Sequence, residues 1–221
     1  MAEPVTLARV VVGSQLHGLA LPESDTDVRL VWASNLGEIL SPWTPTPPEM
    51  GPDEDGWELR HFVGLITRGN STVLEVLSSD IHEGAIDPRW PELQALMPAM
   101  LDPETVRHAH FGYIVSQRKL IEDARRREDF RRMAKAAVAA LRIANQGAEL
   151  LRTAVLTPKV TRHRDLLLAI RADGLSDDRE AIWRRELDLA VTELNDSTAA
   201  PHPSLRLDRE AVISFLSSAY R

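Results

Sequence analysis

The sequence predicts an α+β protein in which a mixed strand-and-helix region is followed by an all-helical region. Two short runs rich in β-branched residues, LARVVV and DVRLVW, fall within the first 33 residues and predict two strands. Beyond Pro103, apolar residues recur with helical spacing along stretches that lack proline. This change predicts two domains, residues 1–101 and residues 102–221.

The composition excludes several classes of protein. The chain has 221 residues, of which 43% are hydrophobic and 27% charged, so it is too apolar to be disordered throughout. It has no cysteine, which excludes disulfides, thiolate metal sites and cysteine nucleophiles. No apolar run is long enough for a membrane span, and the first residues do not resemble a signal peptide. We therefore expect a cytoplasmic protein with no membrane partner and leave its oligomeric state open.

The formal net charge of −7 is distributed unevenly. Residues 1–102 carry a balance of −11, residues 103–153 one of +5, and residues 154–221 one of −1. This asymmetry suggests metal binding on one side of a site and phosphate binding on the other. Solvated helices that simply differ in charge also explain it.

Local signals predict the remaining elements. Residues 41–56 hold five prolines and predict a loop or insertion. Residues 57–70 predict a strand or helix entry and then an amphipathic helix, and Asn70 begins another helix. Further helices are predicted over residues 106–129, 130–154, 162–174, 177–198 and 208–220.

The segment from Val10 to Leu30, VVVGSQLHGLALPESDTDVRL, carries the chemistry. A strand ends at Gly13-Ser14, where backbone amides, the serine hydroxyl and any helix beginning there would bind an anion. Asp25 and Asp27 stand two apart at the front of the second strand, so both carboxylates project to one face.

Two neighbouring carboxylates repel each other unless a divalent cation lies between them, and oxygen ligands favour Mg²⁺ or Mn²⁺. Each half of the pattern has an ordinary explanation. Gly-Ser is common in turns, and SDTD is also typical of an Asx-turn or a helix cap. Together and in this order, the two halves are what metal-assisted phosphoryl or nucleotidyl transfer requires.

This pattern resembles the nucleotidyltransferase signature of the DNA polymerase beta superfamily, and within it the RNA repair pathway DNA polymerase beta family. The matching residues are Gly13, Ser14, His17, Gly18, Pro22, Ser24, Asp25, Asp27 and Arg29. Looser similarity follows in ELRHFVGLITRGNSTVLEVL and KAAVAALRIANQGAELLRTAVL, with Ser71 in place of a family proline and Ala139 in place of a histidine.

The resemblance implies a polymerase-beta-like nucleotidyltransferase domain, a mixed sheet with flanking helices, ahead of the helical domain. It also implies that Gly13 and Ser14 bind the triphosphate of an NTP, and that Asp25 and Asp27 bind the metal ions. A third carboxylate is expected on the next strand as metal ligand and base, at Asp53 or else at Asp55. The surrounding residues depart from the family pattern, so the absence of a third carboxylate is also open.

Basic residues in the middle of the chain complete the proposed site. Lys135 and Arg142 are seven apart on one helix, so they either reach the triphosphate or form an ordinary solvated edge. A cluster of arginines either binds a nucleic-acid backbone or pairs with neighbouring acids. Its members are Arg125, Arg126, Arg127, Arg131 and Arg132.

We therefore expect transfer of a nucleoside monophosphate from an NTP to a hydroxyl acceptor, with release of pyrophosphate. The family resemblance favours a nucleic-acid end, RNA rather than DNA, as the acceptor. Two alternatives stay open: nucleotidylation of a protein or small-molecule hydroxyl, and a catalytically silent nucleotide-binding module.

Overall fold

A computed structural model of the chain describes residues 3–51 and 54–221. Three strands form one small mixed sheet in the order β1-β2-β3. Strands β1 (Val5–Val12) and β2 (Asp27–Ala33) are antiparallel, and β2 runs parallel to β3 (Glu54–Glu58). The α+β prediction is thus confirmed, and both β-branched runs form strands.

Short helices surround the sheet. The first five helices are α1 (Gly13–Leu16), α2 (Leu36–Leu40), α3 (Leu59–Ile66), α4 (Ser71–Leu77) and α5 (Arg89–Leu96). A 3₁₀ turn, Met97–Met100, follows α5. Asn70 caps α4 by accepting a hydrogen bond from the Val73 amide at 3.1 Å, as its position before an apolar run predicts.

Five longer helices build the second half of the chain. They are α6 (Pro103–Arg126), α7 (Phe130–Thr153), α8 (Arg164–Asp173), α9 (Asp177–Ala199) and α10 (Arg209–Ala219). Helix α7 lies between α6 and α9, and fifteen of its residues are buried. Among the described residues, no helix combines the length and the apolar character needed to cross a bilayer.

One apolar core connects the two halves of the chain. The same cluster contains Leu7 and Val31 from the sheet, Leu74 from α4 and Leu141 from α7. The division into two domains after residue 101 stays a prediction, because this shared core neither requires nor excludes it.

The predicted end of the proline-rich loop is wrong, and the helix predicted over residues 106–129 runs instead from Pro103 to Arg126. The loop expected over residues 41–56 ends earlier, since β3 already begins at Glu54. The first residues of β3, Glu-Asp-Gly, have low strand propensity. Backbone pairing of Val28 with Glu54 and of Arg29 with Asp55 holds them extended.

Candidate functional site

The sheet topology brings the two halves of the motif to one end of the sheet. Val12, the last residue of β1, pairs with Asp27, the first residue of β2. Gly13 and Ser14 therefore follow directly beside Asp27. Because β3 is parallel to β2, its first residues lie at the same end.

Gly13 and Asp27 are in close contact. Gly13 has a φ of +66°, in the left-handed region that favours glycine, and a Cβ built on it would lie 2.7 Å from Asp27 Oδ2. The Asp27 carboxylate thus lies against the backbone of the Gly-Ser turn. Ser14 follows in the single turn of α1.

Only Asp27 belongs to β2, whereas Asp25 precedes the strand in a loop, so the expectation that both carboxylates project from one strand face is wrong for Asp25. Neither carboxylate forms an ion pair with a described residue, which leaves both available to a cation. The third carboxylate stays a prediction, because Asp53 lies outside the described residues. Within residues 3–51 and 54–221, no three Asp, Glu or His side chains are grouped closely enough to hold a metal.

Asp55 does not join Asp25 and Asp27 in such a group. Its side chain is exposed and accepts a hydrogen bond from the Gly56 amide at 2.7 Å. Its register partner on β2 is Arg29.

A cleft opens beside Asp25, between the loop that carries it and the ends of α7 and α8. Its volume is about 430 Å³. Lys135 of α7 and Arg171 of α8 line it together with Asp25. Arg171 Nη2 donates to Ser24 Oγ at 3.3 Å, and Ser24 Oγ also accepts from the Leu21 amide at 2.9 Å. The cleft therefore contains a carboxylate and cations contributed by the helical half.

Lys135 and Arg142 do not line the same cavity. Lys135 is exposed in the cleft beside Asp25, whereas Arg142 is almost fully buried and borders a separate cavity of about 200 Å³. Seven residues bring a helix back to nearly the same face but also advance it by about 10 Å. Spacing along the helix alone therefore does not place the two cations in one cavity.

Arg142 belongs to a buried polar network that fixes the Gly-Ser turn. Its guanidinium pairs with the Glu75 carboxylate of α4, and Arg142 Nη1 donates to Gln146 Oε1 at 3.0 Å. Gln146 Nε2 in turn donates to the Pro158 carbonyl at 3.2 Å. Burial lowers the pKa of Arg142, but the guanidinium stays charged at neutral pH.

His17 connects this network to the turn. Its Nδ1 lies 3.2 Å from the Pro158 carbonyl and donates to it, because a carbonyl oxygen only accepts. Its Nε2 lies 3.8 Å from Glu75 Oε2. Burial, and after it the charge of Arg142, lowers the pKa of His17 to about 3, so the ring is neutral at physiological pH. His17 therefore acts as a fixed support rather than as a cation for phosphate.

The basic cluster divides into paired and unpaired members. Arg125 pairs with Glu180 at 2.5 Å, and Arg126 and Arg127 pair with Asp123 at 2.6 and 3.6 Å. Arg131 lines the cleft instead and forms no ion pair with a described carboxylate. Pairing with neighbouring acids thus accounts for the first three arginines only.

Three of these features are not predicted by the sequence. The amphipathic helix around Arg171 indicates nothing about a cleft, and the buried role of Arg142 depends on contacts with α4. The motif alone does not distinguish a phosphate contact by His17 from a role in closing the turn. Phe130 is different, because an aromatic residue isolated in the charged run RRREDFRR is unusual and could have marked an exposed binding residue.

Comparison with known proteins agrees with the motif. A family model described as the RNA repair pathway DNA polymerase beta family matches residues 3–214. No curated protein and no solved structure shows a significant match. The resemblance that begins at Gly13 therefore extends along nearly the whole chain.

Proposed function

Because the chain belongs to the RNA repair pathway DNA polymerase beta family, we propose that it moves a nucleoside monophosphate from an NTP to a nucleic-acid end, most readily RNA. The single observation that carries this proposal is the contact between the Gly13 turn and the Asp27 carboxylate. A phosphate-binding turn and a metal-binding carboxylate at one sheet end are what nucleotidyl transfer requires.

In this proposal Gly13 and Ser14 bind the triphosphate, with Lys135 as a second contact from α7. Asp25 and Asp27 hold Mg²⁺ or Mn²⁺, which when bound supplies Lewis-acid polarisation of the phosphoryl oxygens. The acceptor hydroxyl oxygen forms a bond to the α-phosphorus while the bond from that phosphorus to the bridging oxygen breaks. Pyrophosphate leaves, and the hydroxyl proton passes to a base, for which Asp53 is our candidate.

Arg142 has a different part in the proposal from the one its spacing predicts. It is buried and bound to Glu75, so it supports the triphosphate site through the network under the turn. Direct contact with the triphosphate would require the loss of that ion pair.

A protein or small-molecule hydroxyl is the second candidate acceptor. The observation that favours it is the pairing of Arg125, Arg126 and Arg127 with acids, which leaves less free positive charge along α6 for a nucleic-acid backbone.

The test is transfer of label from α-³²P-labelled NTPs, with Mg²⁺ or Mn²⁺, to RNA, DNA and protein acceptors. We expect label on a nucleic-acid end with the wild type and at least a 100-fold lower rate with Asp25→Asn/Asp27→Asn. Asp178→Asn, at an exposed position in the first turn of α9, is the matched control and keeps the wild-type rate. Equal transfer by the double variant, or no transfer to any acceptor, would contradict the proposal.

A further inference from the structure

An aromatic ring stands open to solvent in the cleft beside Asp25. Phe130 is the first residue of α7, directly after its cap Asp129, and is 61% exposed. It lines the same cleft as Asp25 and Lys135. An exposed phenyl ring in a run of charged residues contributes little to folding, so its placement needs another explanation.

The cations around this ring are available to an anion. Arg131, Lys135 and Arg171 line the cleft, and none forms an ion pair with a described carboxylate. The cleft also contains Asp25, Glu23 and Asp173, of which Asp173 already pairs with Arg179 at 2.8 Å. An aromatic face beside unpaired cations is the combination that binds single-stranded nucleic acid.

The position of the cleft indicates which substrate it takes. Asp25 lines it, and of the residues that the proposed function assigns to the triphosphate only Lys135 does, whereas Gly13 and Ser14 do not. If the Gly13-Ser14 turn holds the NTP, the cleft beside Asp25 stays open for the acceptor. Phe130 and Arg132 are both exposed, so a longer nucleic-acid strand could extend from the cleft into solvent past these residues.

We infer that Phe130 stacks on the terminal base of a single-stranded nucleic-acid acceptor, whose phosphates lie against Arg131 and Arg171. This inference rests on the proposed function for the assignment of the two sides of the site. Binding of the strand needs neither NTP nor metal, so it can be measured separately from transfer.

The experiment uses the full chain and a short RNA or DNA strand with 2-aminopurine as its 3′-terminal base. Stacking on Phe130 quenches the fluorescence of this base, and anisotropy gives the affinity. Loss of one stacked base weakens binding by about 10-fold or more. We expect Phe130→Ala to abolish the quenching and to weaken strand binding by this factor. Phe130→Trp, which keeps an aromatic face, should retain both the quenching and the wild-type affinity.

Phe111→Ala is the matched control, because Phe111 is also exposed, on α6, but does not line the cleft. Arg131→Ala should lower the salt dependence of binding by about one phosphate contact. Since both phenylalanines are exposed, thermal unfolding of the two variants should match the wild type.

Three outcomes overturn the inference. The first is equal strand binding by Phe130→Ala and wild type. The second is that Phe130→Ala weakens binding of a 2-aminopurine ribonucleoside triphosphate but not binding of the strand. The third is transfer to a protein acceptor at a rate that Phe130→Ala leaves unchanged. Strand binding is repeated with Asp25→Asn/Asp27→Asn. Normal quenching without any transfer by the wild type would contradict the proposed function and support the inference.

Discussion

Gly13 is the residue on which the geometry of the site depends most directly. Its positive φ and its contact with Asp27 Oδ2 leave no room for a side chain. We expect Gly13→Ala to displace the Asp27 carboxylate, and so to lower the rate of nucleotidyl transfer by at least 10-fold. The measurement is the transfer assay together with thermal unfolding.

Gly84→Ala is the control for Gly13→Ala. Gly84 has a similar φ of +72°, but a Cβ there meets no atom within 4 Å. Both variants therefore carry the backbone strain of about 1–2 kcal/mol expected in this region, and only Gly13→Ala also moves a carboxylate. Equal transfer rates in the two variants would show that the contact with Asp27 has no role in catalysis.

For individual residues, the sequence predicted the neighbours of Gly13 and Asp27 more successfully than the environment of Arg142. The positions of Gly13 and Asp27 side by side follow from a motif and a strand register, both of which are local. Arg142 had the same spacing signal as Lys135, yet its environment is set by Glu75, which lies 67 positions earlier in the chain. Such a contact is visible only after the helices have packed.

Between elements, the ion pair of Glu75 and Arg142 connects α4 to α7 in the interior. We expect Glu75→Gln and Arg142→Met each to lower the free energy of unfolding by about 3–5 kcal/mol, because each leaves a buried charge without its partner. The double variant removes both charges and should lose much less than the sum. Urea denaturation of the four proteins measures the cycle.

The exposed pair of Arg118 and Asp188, which joins α6 to α9, is the comparison for this cycle. Because water screens both groups, its removal should change the free energy of unfolding very little. Additive losses at Glu75 and Arg142 would mean that the two residues act independently.

The crossing of α6, α7 and α9 depends on a helical glycine. A Cβ on Gly147 would lie 2.7 Å from the ring of His110 and 2.9 Å from Leu194. We expect Gly147→Ala to destabilise the protein by about 1–3 kcal/mol, since overpacking outweighs the gain in helix propensity.

Gly112→Ala on α6 should have the opposite effect. A Cβ at Gly112 meets nothing within 4 Å, so only the gain in helix propensity of about 0.5–1 kcal/mol remains. Chemical denaturation checks both signs, and stabilisation by Gly147→Ala would contradict the close packing described for this crossing.

The sequence predicted elements well where their signals are local. β1, β2 and the helices after Pro103 appear where β-branched runs and helical spacing place them. β3 is different, because its residues have little strand preference and it depends on pairing with β2. The same strand carries the proposed third carboxylate, which explains why this ligand is the hardest to assign from sequence.

Over the whole molecule, buried histidines make stability depend on pH. Burial lowers the pKa of His17 to about 3 and that of His110 to about 4, both below the value of about 6.5 in an unfolded chain. On acidification below pH 6.5 the unfolded state takes up protons that the folded state does not. The stability is thus complete above this pH and is lost as the pH falls towards 4.

Each histidine contributes a slope of about 1.4 kcal/mol per pH unit, so the two together remove about 4 kcal/mol between pH 7 and pH 5. Burial also lowers the pKa of His82 and His163, which adds to the same trend. Urea denaturation at several pH values measures the slope. A free energy of unfolding that stays constant from pH 7 to pH 5 would contradict the burial of both rings in neutral form.

The support of the Gly-Ser turn by distant residues has a consequence for how the protein is made. The His17 side chain is held by Pro158, 141 residues later, and the His17 carbonyl accepts a hydrogen bond from the Val160 amide at 3.0 Å. At about 5–20 residues per second, a ribosome needs on the order of 10–30 s to add that stretch. Throughout this time the nascent amino-terminal strands lack the partners that fix the turn. The part of the sequence translated first therefore contains the site that is completed last.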